Sequence, residues 1–435
     1  MTGSRGEGAK GSNWPASASW NGTGGSALGL ASVPARLDGL ALIATLLCPL
    51  FLLHGRVIAE ALISVVAVCF LLRSAIDRDW AWLRARWVLA AAAWWAWLVA
   101  CSVQGGLGQA LAAVRFLLFV AALEHWVLRV AWRRVWLARL TALAALYIAL
   151  QTVLQLVTGR NLQGYPRSGD GELTGPFEHP RAGAPLSRLL FPAVLSVGAR
   201  WGGIAAMLGG VAVMVLIGQR MPLLLTGLGL VVTALLLPRS RPLVLVAALA
   251  ALLLVTASAI VEPPTFYRLV TKFSGQMEHF PDSPYGQIAA RAAAMVAQHP
   301  LFGLGFDGFR RACADPAYFV GWHGGDGGGA GMCVQHPHNH YLQAAVESGW
   351  IGLVLFCAMA LAWLARLGRG LLQPGGAPPL RVGLFVAALI QLWPLASASA
   401  LTSMPLSGWF FLLLGLGLAE AKAYMTTNTD RGAYV

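Results

Sequence analysis

The chain is a succession of apolar runs, each about as long as a bilayer crossing, separated by mostly short polar connections. A segment in lipid has no water to satisfy its amides and carbonyls, so each such run must form a helix. The runs fall at 37–53, 57–72, 87–103, 107–128, 135–157, 183–199, 202–218, 221–237, 242–261, 346–365, 380–398 and 404–419. Their lengths lie near the roughly 20 residues that a spanning helix needs. Of the 435 residues, 57% are hydrophobic and only 11% are charged, whereas about a quarter are charged in a soluble domain. The expected fold is an all-α polytopic membrane protein with about 12 transmembrane helices.

Charge gives the orientation. The formal net charge is +13, but no nucleic-acid-binding signature accompanies it, so no nucleic acid is expected as a partner. The arginines concentrate on alternate connections: Arg73, Arg78, Arg84 and Arg86; Arg129, Arg133, Arg134 and Arg139; Arg200; Arg239 and Arg241; Arg366, Arg369 and Arg381. The short connections between hold only Arg56 and Arg220. The positive-inside rule then puts both termini in the cytoplasm. Residues 1–36, rich in Gly, Ser and Ala, read as a disordered cytoplasmic tail. Residues 37–261 would hold helices 1–9, with an outer loop at 158–182. Residues 262–345 would form a long, mostly helical periplasmic loop, 346–419 helices 10–12, and 420–435 a second cytoplasmic tail. The stretch Gly324 to Gly331 lacks the Lys-Ser/Thr of a phosphate-binding loop and reads as a hinge or lid.

The densest polar cluster, Gln335-His-Pro-His-Asn-His-Tyr341, stands where the long loop meets the tenth run. Histidine is a natural general base near neutral pH. His338 is the candidate catalytic base, with His336, Asn339, His340 and Tyr341 in support. Zinc ligation by His336, His338 and His340 needs a straight strand, which Pro337 and a helix start after Asn339 oppose; no metal is expected. A second set is arginine at the outer boundary: Arg220 in a tight turn, Arg291 in a loop helix, Arg115 inside the fourth run and Arg188 inside the sixth. A guanidinium at membrane depth is costly and is usually paired or functional, and arginines can clamp a pyrophosphate bidentately. Snorkelling of Arg188 and simple anchoring by Arg220 are the plainer alternatives. Glu178 and Arg181, in Gly175-Pro-Phe-Glu-His-Pro-Arg181, are a possible second base and a further cation, or parts of a turn. Of six cysteines, Cys313 and Cys333 lie in the long loop, where an oxidising compartment would let them form a disulfide.

The spacing His338-Asn339, nine residues, Gly349, two residues, Gly352 resembles the signature of bacterial O-antigen ligases. The segment His299-Pro-Leu-Phe-Gly-Leu-Gly305 looks like a loop sequence of the same family. Arg291, eight residues before it, and Arg220, just before an apolar span, match the positions of functional arginines. Gly175 to Gly183 looks like the family's segment before the sixth span. Met221-Pro222 departs from the small residue expected after Arg220.

The resemblance implies a C-type membrane glycosyltransferase, inverting and without metal, ATP or other cofactor. Its donor would be an undecaprenyl pyrophosphate-linked glycan, its acceptor lipid A–core oligosaccharide, and its surroundings membrane lipid. O-antigen polymerases and protein O-oligosaccharyltransferases share these motifs and stand as alternatives. A metal-dependent oligosaccharyltransferase would need paired acids in its outer loops, where Asp170-Gly-Glu172 is the only close pair. A transporter is the alternative from another class, but its polar sites should lie at mid-membrane, where only Arg115 stands.

Overall fold

The computed structural model describes residues 33–169, 171–197, 200–318, 333–373, 377–397 and 400–432. The apolar runs map onto helices: α1 (Val33–His54), α2 (Arg56–Asp77), α3 (Arg86–Cys101), α4 (Leu107–Val127), α5 (Ala131–Thr158), α6 (Gly183–Ser196), α7 (Arg200–Ile217), α8 (Arg220–Leu236) and α9 (Arg241–Val261), then, after a loop helix α10 (Pro284–Gln298), α11 (His340–Gly368), α12 (Pro379–Gln391) and α13 (Leu406–Gly432); the run at 380–398 is helical only to Gln391, where Pro394 follows. Seven of these (α1, α2, α4, α5, α9, α11 and α13) are long and apolar enough to cross a membrane; α3, α6, α7, α8 and α12 are shorter. The expected tail at 1–36 falls mostly outside the described residues, as do Gly324 to Gly331 and Asp170.

The chain does not stop being helical at residue 419 as the apolar pattern suggests. α13 continues to Gly432, and the first polar residues past the apolar run have partners in the bundle: Glu420 accepts from Arg134 Nε at 2.9 Å, and Lys422 Nζ lies 3.0 Å from His125 Nδ1. α13 is the central helix, with 78% of its apolar window buried, while α9 at the rim buries only 17%. Trp363 of α11 packs edge-on against Phe410 and Phe411 of α13, and Phe411 stacks on Phe116 of α4 at 4.9 Å. At the rim, α9 leaves Leu245, Val246, Leu249, Leu252, Leu253 and Ile260 uncovered. An unbroken apolar face of that size is what hydrocarbon solvates.

The two ends of the bundle differ chemically. At one end buried Glu124 of α4 accepts from Trp87 Nε1 of α3 at 2.7 Å and from Arg366 Nη2 of α11 at 3.0 Å, while Arg133 of α5 pairs with Asp38 of α1 at 2.6 Å. These contacts join the start of α3, α5 and α1 to the end of α4 and α11, as up-and-down helices require. The other end carries the start of α6 and α11, the end of α12 and the loop helix.

Candidate functional site

α11 is broken two turns from its start. Ser348 (φ −142°, ψ 17°) and Gly349 (φ 66°, ψ −169°) are not helical. The break strands backbone groups that would otherwise bond within the helix, and the segment from His299 to Gly305 replaces the lost partners. Leu304 N donates to Val346 O at 2.8 Å, Gly305 N to Glu347 O at 2.9 Å, and Trp350 N donates to Pro300 O at 2.8 Å. Ser348 O accepts from Trp97 Nε1 of α3 at 2.9 Å. Two glycines permit the contact. A Cβ on Gly349 would lie 2.3 Å from Leu301 O, and one on Gly303 would lie 2.5 Å from Ser348 N. The loop motif and the glycine of the His-Asn signature are therefore two halves of one clasp.

The clasp fixes the short first segment of α11, and that segment presents the histidines. Asn339 caps it, accepting from Tyr341 N at 2.9 Å and Leu342 N at 3.0 Å. Three successive side chains then dock on the end of α12 and the turn after it. Asn339 Nδ2 donates to Pro394 O, Tyr341 Oη to Leu392 O and Gln391 Nε2 to His340 Nε2, each at 2.6 Å. The last bond makes His340 Nε2 an acceptor and leaves the proton on its Nδ1. Gln391 is held in turn by the buried Arg188 of α6, which donates to Gln391 Oε1 and to Ala184 O.

His338 is the exception. Its backbone has φ 54°, a left-handed conformation that side-chain-bearing residues rarely adopt and that costs about 1–3 kcal/mol. Its half-buried ring lies 4.6 Å from the His336 ring and 5.6 Å from the Tyr285 ring, with no hydrogen bond among the described residues. Asn339, His340 and Tyr341 hold the segment, and none of their bonds involves the strained His338. Among the described residues no group of three or more His, Cys, Asp or Glu stands ready to hold a metal.

Burial holds the His338 pKa below its usual 6.5, and burial together with the neighbouring His338 pushes His336 down to about 4. A lowered pKa keeps the imidazole neutral, and so able to accept a proton, further into acid. If His338 is the base, the acid limb of the pH–rate profile is expected below pH 6.5. A limb centred above 6.5, measured on the purified enzyme, would contradict that environment.

Arg291 shares α10 with Tyr285 and is buried. It donates to Cys313 Sγ at 3.2 Å, and Cys313 is joined to Cys333, five residues before His338, with the Cα atoms 5.5 Å apart. Arg291, the disulfide and the histidine segment thus belong to one loop unit, whose core is Ile288, Ala292, Met295, Phe309 and Val346. Arg220 opens α8, where it donates to Gln276 Oε1, and its guanidinium lies 5.9 Å from the Phe273 ring. Beside it, Gln219 Nε2 donates to Pro180 O at 2.6 Å, so the exposed Glu178-to-Arg181 turn lies against the Arg220 turn. Arg115 bonds elsewhere, to Glu60 of α2 and Ala112 O.

Sequence reasoning overlooked two buried groups. Arg268 donates to Thr265 Oγ1 at 3.2 Å and packs against Gly218, two residues from Arg220; it lies in a polar stretch with no motif to mark it. Glu347 accepts from Asp307 N at 3.0 Å and Gln343 Nε2 at 2.8 Å, and with His340 and Gln343 it lines a small cavity under the histidine segment. Its signal was its place inside the His338-to-Gly349 motif.

No curated protein matches the chain. Residues 205–357, from α7 into α11, match the O-antigen ligase family. That stretch contains Arg220, Arg268, Arg291, His338 and both halves of the clasp, so the candidate site lies within the part of the chain that is similar to the O-antigen ligase family, whose members are glycosyltransferase-like enzymes of the ligase and polymerase type.

Proposed function

We propose that this chain is an O-antigen ligase. It would move polysaccharide from undecaprenyl pyrophosphate to a sugar hydroxyl of lipid A–core at the periplasmic face of the bacterial inner membrane. The observation that carries the reading is His338, strained and without a hydrogen-bonded partner among the described residues, on a segment whose next three side chains are all used to fix it. The acceptor hydroxyl attacks the anomeric carbon, the bond from that carbon to the pyrophosphate oxygen breaks, and His338 takes the hydroxyl proton. Attack opposite the leaving group inverts the anomeric centre. Arg220 and Arg291 would take up the charge that develops on the pyrophosphate, a part that fixed cations perform without a metal.

The roles of the other arginines differ with their surroundings. Among the described residues Arg188 has only the neutral acceptors Gln391 and Ala184 O, so it serves through His340 by holding the segment, with its charge close beneath the site. Arg115 already has Glu60 as counter-ion and contributes to the α2–α4 contact. Arg181 and Arg268 flank Arg220 and extend the cationic rim. All twelve helices would cross, with the arginine-rich end in the cytoplasm.

The test is a product assay on purified protein with lipid-linked polysaccharide and lipid A–core, with and without a chelator. The expected products are glycosylated lipid A–core and undecaprenyl pyrophosphate, formed equally in both. Lengthened lipid-linked glycan instead would make the chain a polymerase, and glycan on a protein acceptor would make it a protein O-oligosaccharyltransferase. Loss of turnover with chelator would overturn the metal-free chemistry.

A further inference from the structure

The clasp leaves large apolar side chains uncovered at its tip. Leu301 is 56% exposed, Phe302 59% and Trp350 56%. A loop in water hides such residues or replaces them with polar ones. Here they are held outward by fixed geometry. Leu301 O lies against Gly349, Phe302 stacks on Trp97 of α3 with centroids 5.4 Å apart, and Trp350 is tied to Pro300 O.

The patch continues two helix faces. On α11 the large apolar residues uncovered after the break are Trp350, Ile351, Val354 and Leu361. On α3 the exposed apolar positions are Leu89, Ala92, Ala93, Ala96 and Ala100, spaced as one helical stripe. α11 is long and apolar enough to cross a membrane, so its uncovered face is covered by lipid, and the tip adjoins that face at the end that carries the histidines. The flanks of the tip are satisfied, since Pro300 O, Gly303 N, Leu304 N and Gly305 N are all bonded within the protein, while the backbone groups of Leu301 and Phe302 make no hydrogen bond among the described residues; such groups need water, which the headgroup boundary supplies and the hydrocarbon does not. The exposed Arg310 and Arg311 follow a few residues later, the pairing of apolar anchor and cation that suits the boundary between acyl chains and phosphates.

We propose that Pro300-Leu301-Phe302 is a membrane-insertion tip, seated with Trp350 in the acyl–headgroup boundary of the phospholipid leaflet on the His338 side. Because the same segment clasps the break in α11, the bilayer surface sets the depth of the histidine segment. A lipid-linked substrate then meets its base at a fixed height above the hydrocarbon. The inference rests on the chain being a multi-pass membrane protein and not on which acceptor it uses.

The test places a nitroxide at Phe302→Cys in the full chain. Cys48, Cys69, Cys101 and Cys357 are replaced and the Cys313–Cys333 disulfide is kept. The protein is reconstituted in plain phospholipid vesicles, and relaxation by oxygen is compared with relaxation by a water-soluble nickel chelate. The label at 302 should be oxygen-favoured by several-fold, as at Val354→Cys on α11, while Ala297→Cys on the exposed face of α10 should be nickel-favoured. A nickel-favoured 302 would overturn the proposal. So would an oxygen-favoured 302 that appears only after a polyprenyl-linked donor is added, because the patch would then be the donor's groove. If the cysteine replacements prevent folding, a photoreactive diazirine residue at 302 in the native-cysteine chain gives the same reading. Cross-links to phospholipid acyl chains support the tip, and reaction with water alone overturns it. Neither readout needs turnover, so a chain that proves not to be a ligase leaves this inference standing.

Discussion

His338→Ala is expected to lower glycan transfer by about 10²–10⁴-fold, the contribution of a positioned general base, without loss of thermal stability. The expectation joins two properties of one residue. The ring of His338 has no hydrogen bond among the described residues, so its removal leaves no buried donor or acceptor stranded. Its backbone is left-handed, a conformation that Ala does not relieve, so the segment should keep its place through Asn339, His340 and Tyr341. Turnover measured on purified variant, beside its melting midpoint, separates the base from a structural histidine. A stable variant that keeps activity within about tenfold of the parent would end the assignment. His340→Ala makes the contrast. It removes the acceptor from Gln391 Nε2 in the chain of bonds to Arg188, so its defect should appear in stability as well as in turnover.

The apolar runs made the helices legible, because in lipid a run of that length has one backbone solution. Run ends were less legible wherever polar residues find partners within the bundle. Glu420 and Lys422 look like the start of a tail until Arg134 and His125, nearly three hundred residues away, are placed beside them. The same blindness affected Arg115. Depth alone made it a candidate for pyrophosphate, while its partner Glu60 lies on a different helix and no local pattern joins them. For Arg188 the cost of burying a cation was legible, but its neutral partners Gln391 and Ala184 were not. His338, Arg220 and Arg291 became candidates from the polar cluster and the outer-boundary arginines, and the resemblance then set them apart from their neighbours. The physical reason for the accompanying glycines, a loop laid backbone to backbone against a broken helix, needs the third dimension.

Gly349→Val should be the most damaging single change to the fold of the site. The residue stands at φ 66°, ψ −169°, a region open essentially to glycine alone, where a side chain costs about 1–3 kcal/mol and a β-branched one is worst placed. Crowding adds to that. The first side-chain carbon would meet Leu301 O at 2.3 Å, Leu301 C at 2.4 Å and Pro300 O at 2.6 Å. These are backbone atoms, which cannot rotate away as a side chain would. Relief requires the 299–305 segment to lift, which breaks the bonds from Leu304 N, Gly305 N and Trp350 N together. Three backbone groups would then be stranded beside lipid-facing helices, where each unsatisfied group costs several kcal/mol. The expected result is loss of monodisperse, detergent-solubilised protein, or a melting midpoint well below that of the parent. Gly39→Ala in α1, where a Cβ meets nothing within 4 Å, should leave both unchanged. Gly349→Ala meets the same three atoms with less bulk and should be milder. If it folds, the first two turns of α11 are displaced relative to α12 and His338 moves with them, so turnover should fall further than the melting midpoint suggests. Equal stability of Gly349→Val and the parent would mean that the clasp is not what holds the helix break.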